Sequence, residues 1–245
     1  MTKLANLTAF SLFATLIGVG CADQAAKVTS SPETFEVTSI KAVRPTLVNT
    51  IGALEKKDIA GAKAAFEAYD SAWNGIEVYI NTRNTDLYKE LELNLQAKVT
   101  KALSTPDADA ATIIPDVQAM LAKYEEAISM IQKAAPLNPL YDEVARLRIV
   151  RAHVREVNPA LKAGDIAKAR KSFTAFDDNW DSIEDLIKAR SEDAYTAIEK
   201  GMIQIEQAFM PAQPDVEQVT ALVNGLTQQY NAIVTQVVTD ARQAK

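Results

Sequence analysis

The sequence predicts an all-α protein built as two tandem up-down four-helix bundles that arose by internal duplication. Three observations predict this fold. Only 8 of the 245 residues are glycine, below the average of about 7%, and alanine, glutamine, glutamate and leucine dominate, which favours helix. No stretch alternates apolar and polar residues convincingly, as a half-buried strand does. The third observation is an internal repeat: two segments in the middle of the chain have similar sequences.

The two copies are aligned by their tryptophans. The run around Trp73 reads D-I-A-G-A-K-A-A-F-E-A-Y-D-S-A-W-N-G-I-E, and the run around Trp180 reads D-I-A-K-A-R-K-S-F-T-A-F-D-D-N-W-D-S-I-E. The offset of 107 residues also pairs Asp58 with Asp165, Phe66 with Phe173, Asp70 with Asp177, Glu77 with Glu184, Arg83 with Arg190, Tyr88 with Tyr195 and Glu92 with Glu199. Solenoid repeats have periods of roughly 20–50 residues, so this longer period predicts a duplicated domain.

Each copy is predicted to contain four helices in series, A to D. Helix A covers residues 35–56 and 141–163, helix C covers 85–103 and 192–209, and helix D ends each copy, with Tyr124 matched by Tyr230. In the second copy Pro214 is predicted to lie in the first turn of helix D. Two prolines in 134–139 cannot continue a helix. They separate bundle 1 (35–135, the first half) from bundle 2 (140–245, the second half).

Helix B carries the clearest packing stripe. Apolar residues recur at alternating spacings of three and four: Ile59, Ala62, Phe66, Tyr69, Trp73, Ile76 and Ile80 in the first half, and Ile166, Ala169, Phe173, Phe176, Trp180, Ile183 and Ile187 in the second. This spacing is typical of the seam of an antiparallel bundle. The N-caps predicted for helix B are Asp58 and Asp165, and those for helix C are Asn84 and Ser191.

The first residues, 1–20, are predicted to be a signal peptide. Lys3 precedes a mostly apolar run, and Gly18 and Gly20 are small residues before Cys21. Cys21 stands where a bacterial lipoprotein carries its lipid, so we expect residues 21–34 to tether the mature protein to the membrane on the periplasmic side. Gly18 stands where leucine is usual in such signals. Cleavage after Gly20 without lipidation is the alternative, and both predict export.

Composition excludes several classes of function. Cys21 is the only cysteine, so the body of the protein has neither a disulfide nor a thiolate metal site. The net charge of −6 and the lack of a Lys/Arg-rich block argue against a nucleic-acid partner. No nucleophile–base pair, phosphate-binding glycine loop or zinc spacing is present. We therefore expect no enzyme activity.

Acidic residues next to the tryptophans are the candidate site. In an antiparallel B–C hairpin, Glu77 lies level with Glu92, and Glu184 with Glu199, because each pair is equidistant from the turn. Asp70 and Asp177 lie two turns below on the same flank. Such carboxylates provide the oxygen ligands that iron, manganese or calcium accept.

The alternative for these carboxylates is a structural ion-pair network. Arginine satisfies buried carboxylates bidentately, and Arg83, Arg190, Arg44 and Arg151 are the candidate partners. Trp73, Trp180, Tyr88 and Tyr195 fit core packing better than a ligand site. His153, the sole histidine, is matched by Thr46 in the first copy and is therefore not expected to bind a ligand.

Helices B and C show a pattern in which Gly-Asp opens a helix, Phe and Trp follow, and W-x-x-x-E leads to Y-x-x-x-E. The second copy carries it through Gly164, Asp165, Trp180, Glu184, Tyr195 and Glu199; the first has Lys57 in place of glycine but keeps Asp58, Trp73, Glu77, Tyr88 and Glu92. The pattern resembles the extracytoplasmic helical region attached to some bacterial iron permeases of the FTR1 family. The permease's Arg-Glu-x-x-Glu motif is absent, because Arg155-Glu156 leads into Val157-Asn158-Pro159.

The resemblance implies a detached accessory domain for metal uptake rather than a transporter. We therefore expect an exported, lipid-anchored protein that binds iron or another hard divalent cation and serves a membrane permease. The competing expectation is a structural adaptor that docks on a membrane complex. The two differ in whether the carboxylates converge on a cation or are neutralised by arginine.

Overall fold

A computed structural model describes residues 33–244, which are helical and contain no strand. The all-α prediction is confirmed. The predicted signal peptide (1–20), Cys21 and nearly all of the tether (21–34) lie outside the described residues. Among the helices that are described, none combines the length and the apolar character needed to cross a membrane.

Each half contains helices at the four predicted places. The first half consists of α1 (Phe35–Glu55), α2 (Ile59–Arg83), α3 (Thr85–Lys89), a π-helical segment (Glu90–Gln96), α4 (Ala97–Ser104) and α5 (Ala110–Lys133). The second half consists of α6 (Leu140–Arg155), α7 (Val157–Lys162), α8 (Ile166–Trp180), α9 (Glu184–Lys188), α10 (Glu192–Phe209) and α11 (Val216–Gln243).

The helices of both halves pack into one compact unit from Glu33 onward. In the first half α1 packs against α2 and α5, and in the second half α11 packs against α6 and α10. The halves meet where α6 lies along α2. Six of the seven predicted seam residues of each helix B are buried, while Ile59 and Ile166 are half-buried at the helix start. The core therefore follows the predicted stripe.

Matched contacts recur in the two halves at the repeat offset. The hydroxyl of Tyr124 donates to the carbonyl of Ile40 at 2.7 Å, and the hydroxyl of Tyr230 donates to the carbonyl of Leu147 at 2.7 Å. Two further ion pairs match as well, Arg83 with Glu36 and Arg190 with Glu143. These contacts support the interpretation of an internal duplication, which stays an interpretation.

The turn between helices A and B has the same form in both halves. The amide of Asp58 donates to the carbonyl of Ala53, and that of Asp165 to the carbonyl of Ala160, each at 2.9 Å. The residue before each aspartate has a positive φ, 76° at Gly164 and 58° at Lys57. Glycine adopts this conformation without a Cβ clash, whereas lysine is strained there. The aspartates then cap helix B, accepting at 2.8 Å from Gly61 and Lys168 amides.

Three details of the predicted helices are wrong. Helix A of the second half is not continuous over 141–163: it breaks after Arg155, because Pro159 has no amide to donate to the carbonyl four residues earlier. Helix B of the second half breaks between Trp180 and Glu184. Pro214 precedes the last helix rather than entering it, since Asp215 is the N-cap and accepts from the amides of Glu217 and Gln218.

The π-helical segment accounts for an extra residue in the first half. At its start, buried Leu91 matches buried Ile198 at an offset of 107, whereas after it buried Val99 matches buried Ile205 at an offset of 106. The corresponding helix of the second half, α10, is regular throughout. A π-turn accommodates one additional residue without ending the helix, so the segment keeps both ends of helix C in register with the core.

Candidate functional site

The two tryptophans occupy equivalent, buried places. Trp73 is 1% exposed and stacks on Tyr88 with ring centroids 6.3 Å apart. Trp180 is 3% exposed and stacks on Tyr195 at the same centroid distance. Rings of this size contribute mainly through the apolar area they bury. The aromatic pairs therefore form the core wall beside each set of candidate carboxylates.

The indole nitrogens of these tryptophans differ in what they contact. Nε1 of Trp73 donates to Oε2 of Glu92. Nε1 of Trp180 is buried but has no acceptor among the described residues, so Glu199 does not play the part of Glu92. Burial raises the pKa of Glu92, while the indole hydrogen bond lowers it. The same Trp–Glu spacing thus gives a hydrogen-bonded pair in one half only.

Glu77 is neutralised by an arginine from the other half. Nη1 of Arg148 on α6 donates to Oε1 of Glu77 at 2.7 Å, and both side chains are about four-fifths buried. One turn before Glu77 on α2, Oδ1 of Asn74 accepts from Nη1 of Arg155 at 2.8 Å. Burial raises the pKa of Glu77, and the charge of Arg148 opposes that shift. Glu77 is therefore committed to the contact between α2 and α6.

The arginines expected to neutralise the carboxylates contact other groups. Arg83 pairs with Glu36, Arg190 with Glu143 and Arg44 with Glu125. Arg151 donates to Asn231 at 3.0 Å, and burial together with the charges of Arg148 and Arg155 lowers its pKa to about 10. The ion-pair hypothesis thus fits Glu77. Its partner, however, is Arg148, which is not among the four arginines predicted from the sequence.

Asp70 is close enough to Glu92 in the first half for its charge to raise the pKa of Glu92. Nε2 of Gln96, in the π-helical segment, donates to Oδ1 of Asp70. Burial raises the pKa of this carboxyl, and the nearby charge of Arg155 lowers it. All three candidate carboxylates of the first half are therefore held by a donor from the protein itself.

The corresponding carboxylates of the second half line an open pocket of 440 Å³. Asp177, Glu184 and Glu199, predicted from the sequence, are joined there by three acidic residues that were not predicted, Asp178, Asp181 and Glu206. Trp180, Met202 and Ile203 complete the wall. The sequence held a signal for the additional residues, because positions three, four and seven apart share a helix face.

Within residues 33–244, no lysine or arginine is paired with a carboxylate of this pocket. None of its six carboxylates forms a salt bridge with another described residue, although Glu184 is hydrogen-bonded to the hydroxyl of Tyr195. Partial burial and the charges of Glu206, Asp178, Asp181 and Glu199 raise the pKa of Asp177. Burial and the charges of Glu199 and Glu184 also raise the pKa of Tyr195. The local potential therefore favours a bound cation.

The difference between the halves follows from their neighbours. A Cβ atom at Gly75 would collide with Ile149 of α6, so glycine permits the close approach of α6 to α2. The corresponding residue in the second half, Ser182, is exposed and lies in the break between α8 and α9. Asp185, which corresponds to buried Val78, is exposed too. This face of the second half is not covered by another helix of the described chain.

A preformed metal centre is not present in the described part of the chain, where no three His, Cys, Asp or Glu side chains are placed to hold one ion. His153 is half-buried, and burial lowers its pKa. The pocket thus offers many oxygen ligands in an open arrangement rather than a closed coordination sphere.

In comparisons with known proteins, no family model matches the chain and no curated protein matches it significantly. The resemblance to the helical region of iron permeases therefore stays a prediction that rests on the residues quoted for it.

Proposed function

We propose that this protein is an exported, membrane-tethered helical binding protein that takes up a hard cation in the acidic pocket of its second half and serves metal uptake. The observation that supports the proposal is the pocket itself, in which six carboxylates line 440 Å³ and none of them forms a salt bridge with a described residue. Iron, manganese and calcium accept carboxylate oxygens as ligands. A bound cation would relieve the mutual repulsion of these groups.

The first half is not part of the proposed site. Glu77 is bound by Arg148, Glu92 accepts from Trp73, and Asp70 accepts from Gln96. Releasing Glu77 for a metal ion would leave Arg148 partly buried without its partner, which is unfavourable. We therefore propose one cation site per chain rather than two.

Binding requires the carboxylates of the pocket to converge. Glu184 opens the short helix α9, directly after the break that follows Trp180. Glu199 lies across the pocket on α10, and both side chains are only partly buried. Rotation of these side chains toward a cation breaks no ion pair of the described chain and releases one hydrogen bond, that between Glu184 and Tyr195. The rearrangement is therefore small.

Calorimetric titration of Fe(II), Mn(II), Cu(II) and Zn(II) tests the proposal. Wild type should bind at least one of these ions with one site per chain, and Glu184→Gln/Glu199→Gln should weaken binding by at least about tenfold. The matched first-half variant, Glu77→Gln/Glu92→Gln, should bind like wild type. Binding should also weaken as pH falls toward about 4, where carboxylates protonate. If wild type binds no ion, or if both variants bind alike, the cation proposal is rejected.

A structural adaptor is the second candidate function. The contact between α2 and α6 favours it, because there the carboxylate of Glu77 serves only to hold two helices together. An adaptor would keep its activity in the Glu184→Gln/Glu199→Gln variant. Recovery of the same membrane complex by wild type and this variant, together with absence of metal binding, would support the adaptor.

The proposed tether is tested at the N-terminus. We expect the mature protein to begin at Cys21 with a lipid attached, which intact mass spectrometry of the native protein detects directly. An unmodified mature protein that begins elsewhere would contradict the membrane anchor, without bearing on the cation site.

A further inference from the structure

The hydroxyl of Tyr69 is buried in the first half without a hydrogen-bond partner among residues 33–244. Its residue is 0% exposed, and its ring packs against Phe66, Trp73 and Tyr124 at centroid distances of 5.6, 5.8 and 6.0 Å. No described group donates to or accepts from the hydroxyl. Buried hydroxyls almost always have a partner, which is either a protein group or an ordered water. The hydroxyl of Tyr69 therefore needs a ligand.

Gln96 presents a second unpartnered atom at the same level of the bundle. The side chain is 6% exposed, and its Nε2 donates to Asp70, the residue that follows Tyr69. Its Oε1 is buried and has no donor among the described residues. One helix turn earlier, Glu92 is held by Trp73. The hydrogen bond from Nε2 to Asp70 thus holds Oε1 of Gln96, an acceptor without a donor, near the turn of α2 that contains Tyr69.

The second half lacks both polar groups at the corresponding places. Phe176 replaces Tyr69 and meets Tyr230 edge-on at 5.8 Å, as Tyr69 meets Tyr124 at 6.0 Å. Met202, 6% exposed, takes the buried place of Gln96. The π-helical segment, which ends at Gln96, is also confined to the first half. Three differences between the halves therefore coincide at one point in the core.

The charges around this point indicate a neutral ligand. Asp70, Glu77 and Glu92 face three arginines of α6, Arg148, Arg151 and Arg155, whose charges act on them. A metal ion would add positive charge to a balanced set. The ligand must donate to Oε1 of Gln96 and bond the hydroxyl of Tyr69, and only a small molecule fits a close-packed core.

We propose that the core of the first half contains an ordered water site formed by Tyr69 Oη, Gln96 Oε1 and the neighbouring carboxyl of Asp70, with no counterpart in the second half. The water joins α2 to the π-helical segment, and the additional residue of that segment places Gln96 to bind it. The second half has Phe176 and Met202 at the corresponding places and therefore lacks both polar groups of this site. This site is separate from the proposed cation pocket and does not depend on it.

The sign of one stability change tests the proposal. Tyr69→Phe removes a water-bonded hydroxyl and should lower the melting temperature by about 2–4 °C. Tyr124→Phe provides the calibration, because its hydroxyl has a known protein acceptor, the carbonyl of Ile40. If the hydroxyl of Tyr69 were bare, its removal would relieve a buried unpaired group and raise the melting temperature. An unchanged or higher melting temperature for Tyr69→Phe overturns the proposal.

A crystal structure at better than about 2 Å resolution tests the site directly. The expected result is one ordered water within 2.7–3.2 Å of Tyr69 Oη and of Gln96 Oε1. The proposal also predicts that this water is lost in a Tyr69→Phe/Gln96→Met variant, which copies the second half. A direct bond between the two side chains, or a site without density in wild type, would overturn it.

Discussion

The two halves of this protein share their core but differ in the surroundings of their carboxylates. Trp73 and Trp180 are buried alike, and each stacks on the tyrosine 15 residues further along the chain. Glu77 nevertheless binds Arg148, whereas Glu184 lines an open acidic pocket. The difference arises because α6 covers α2 and no described helix covers α8 and α9 in the same way. Residues of the same type at the same repeat position therefore have different chemistry.

The largest effects should come from the tryptophans. Trp73→Ala and Trp180→Ala should each lower the free energy of unfolding by about 3–5 kcal/mol, because each removes a buried ring from a close-packed seam. The loss should be larger for Trp73 by about 1 kcal/mol, because its indole also bonds Glu92. Urea denaturation measures both. Leu93→Ala, at a 61% exposed residue, is the control. Equal and small losses would show that the halves are not packed as described.

The contact between the halves gives the next effect. Arg148→Ala should destabilise by about 2–3 kcal/mol, somewhat below the value for a fully buried pair, because Glu77 would remain mostly buried without its partner. Lys41 occupies the corresponding position of α1 and pairs with Glu33 near the surface. Lys41→Ala should change stability by no more than about 0.5 kcal/mol. Similar losses in the two variants would contradict a special role for α6.

The turns before helix B offer a smaller, reciprocal comparison. Gly164→Ala should destabilise by about 1 kcal/mol, because alanine at a positive φ is strained even though the space around Gly164 is open. Lys57→Gly should stabilise by about 0.5–1 kcal/mol for the same reason. Thermal unfolding of both variants measures the pair. A stabilising Gly164→Ala would show that the left-handed conformation is absent.

The smallest effect is a pH dependence of stability. Burial raises the pKa values of Glu77, Glu92 and Asp70, so the folded protein holds these protons more tightly than the unfolded chain. The stability that they contribute is present below the unfolded-state pKa of about 4 and is lost as pH rises through the higher folded-state values. Urea unfolding between pH 4 and 8 measures it. Glu77→Gln should flatten the dependence, and a stability that rises over this range in wild type would contradict the assignment.

Local features were predictable because they depend on neighbours in sequence. The period of Phe66, Tyr69 and Trp73 determines which face of helix B is buried, since residues three and four apart share a face. Asp58 and Asp165 cap helices because their side chains reach amides three residues ahead. Pro159, which interrupts helix A of the second half, and the acidic face formed by Asp177, Asp178 and Asp181 also depend only on local sequence.

Only the tertiary structure decided which carboxylates are neutralised. Arg148 lies 71 residues from Glu77, and nothing in the spacing of either residue indicates that α6 packs along α2. That packing depends on the close approach at Gly75 and on the shape of two helix surfaces. The π-helical segment is likewise a feature of the structure, and it accounts for the change of the offset between matched buried residues from 107 at Leu91 to 106 at Val99. Sequence period sets the burial of a side chain, whereas its electrostatic surroundings are set by whichever helix the fold brings against it.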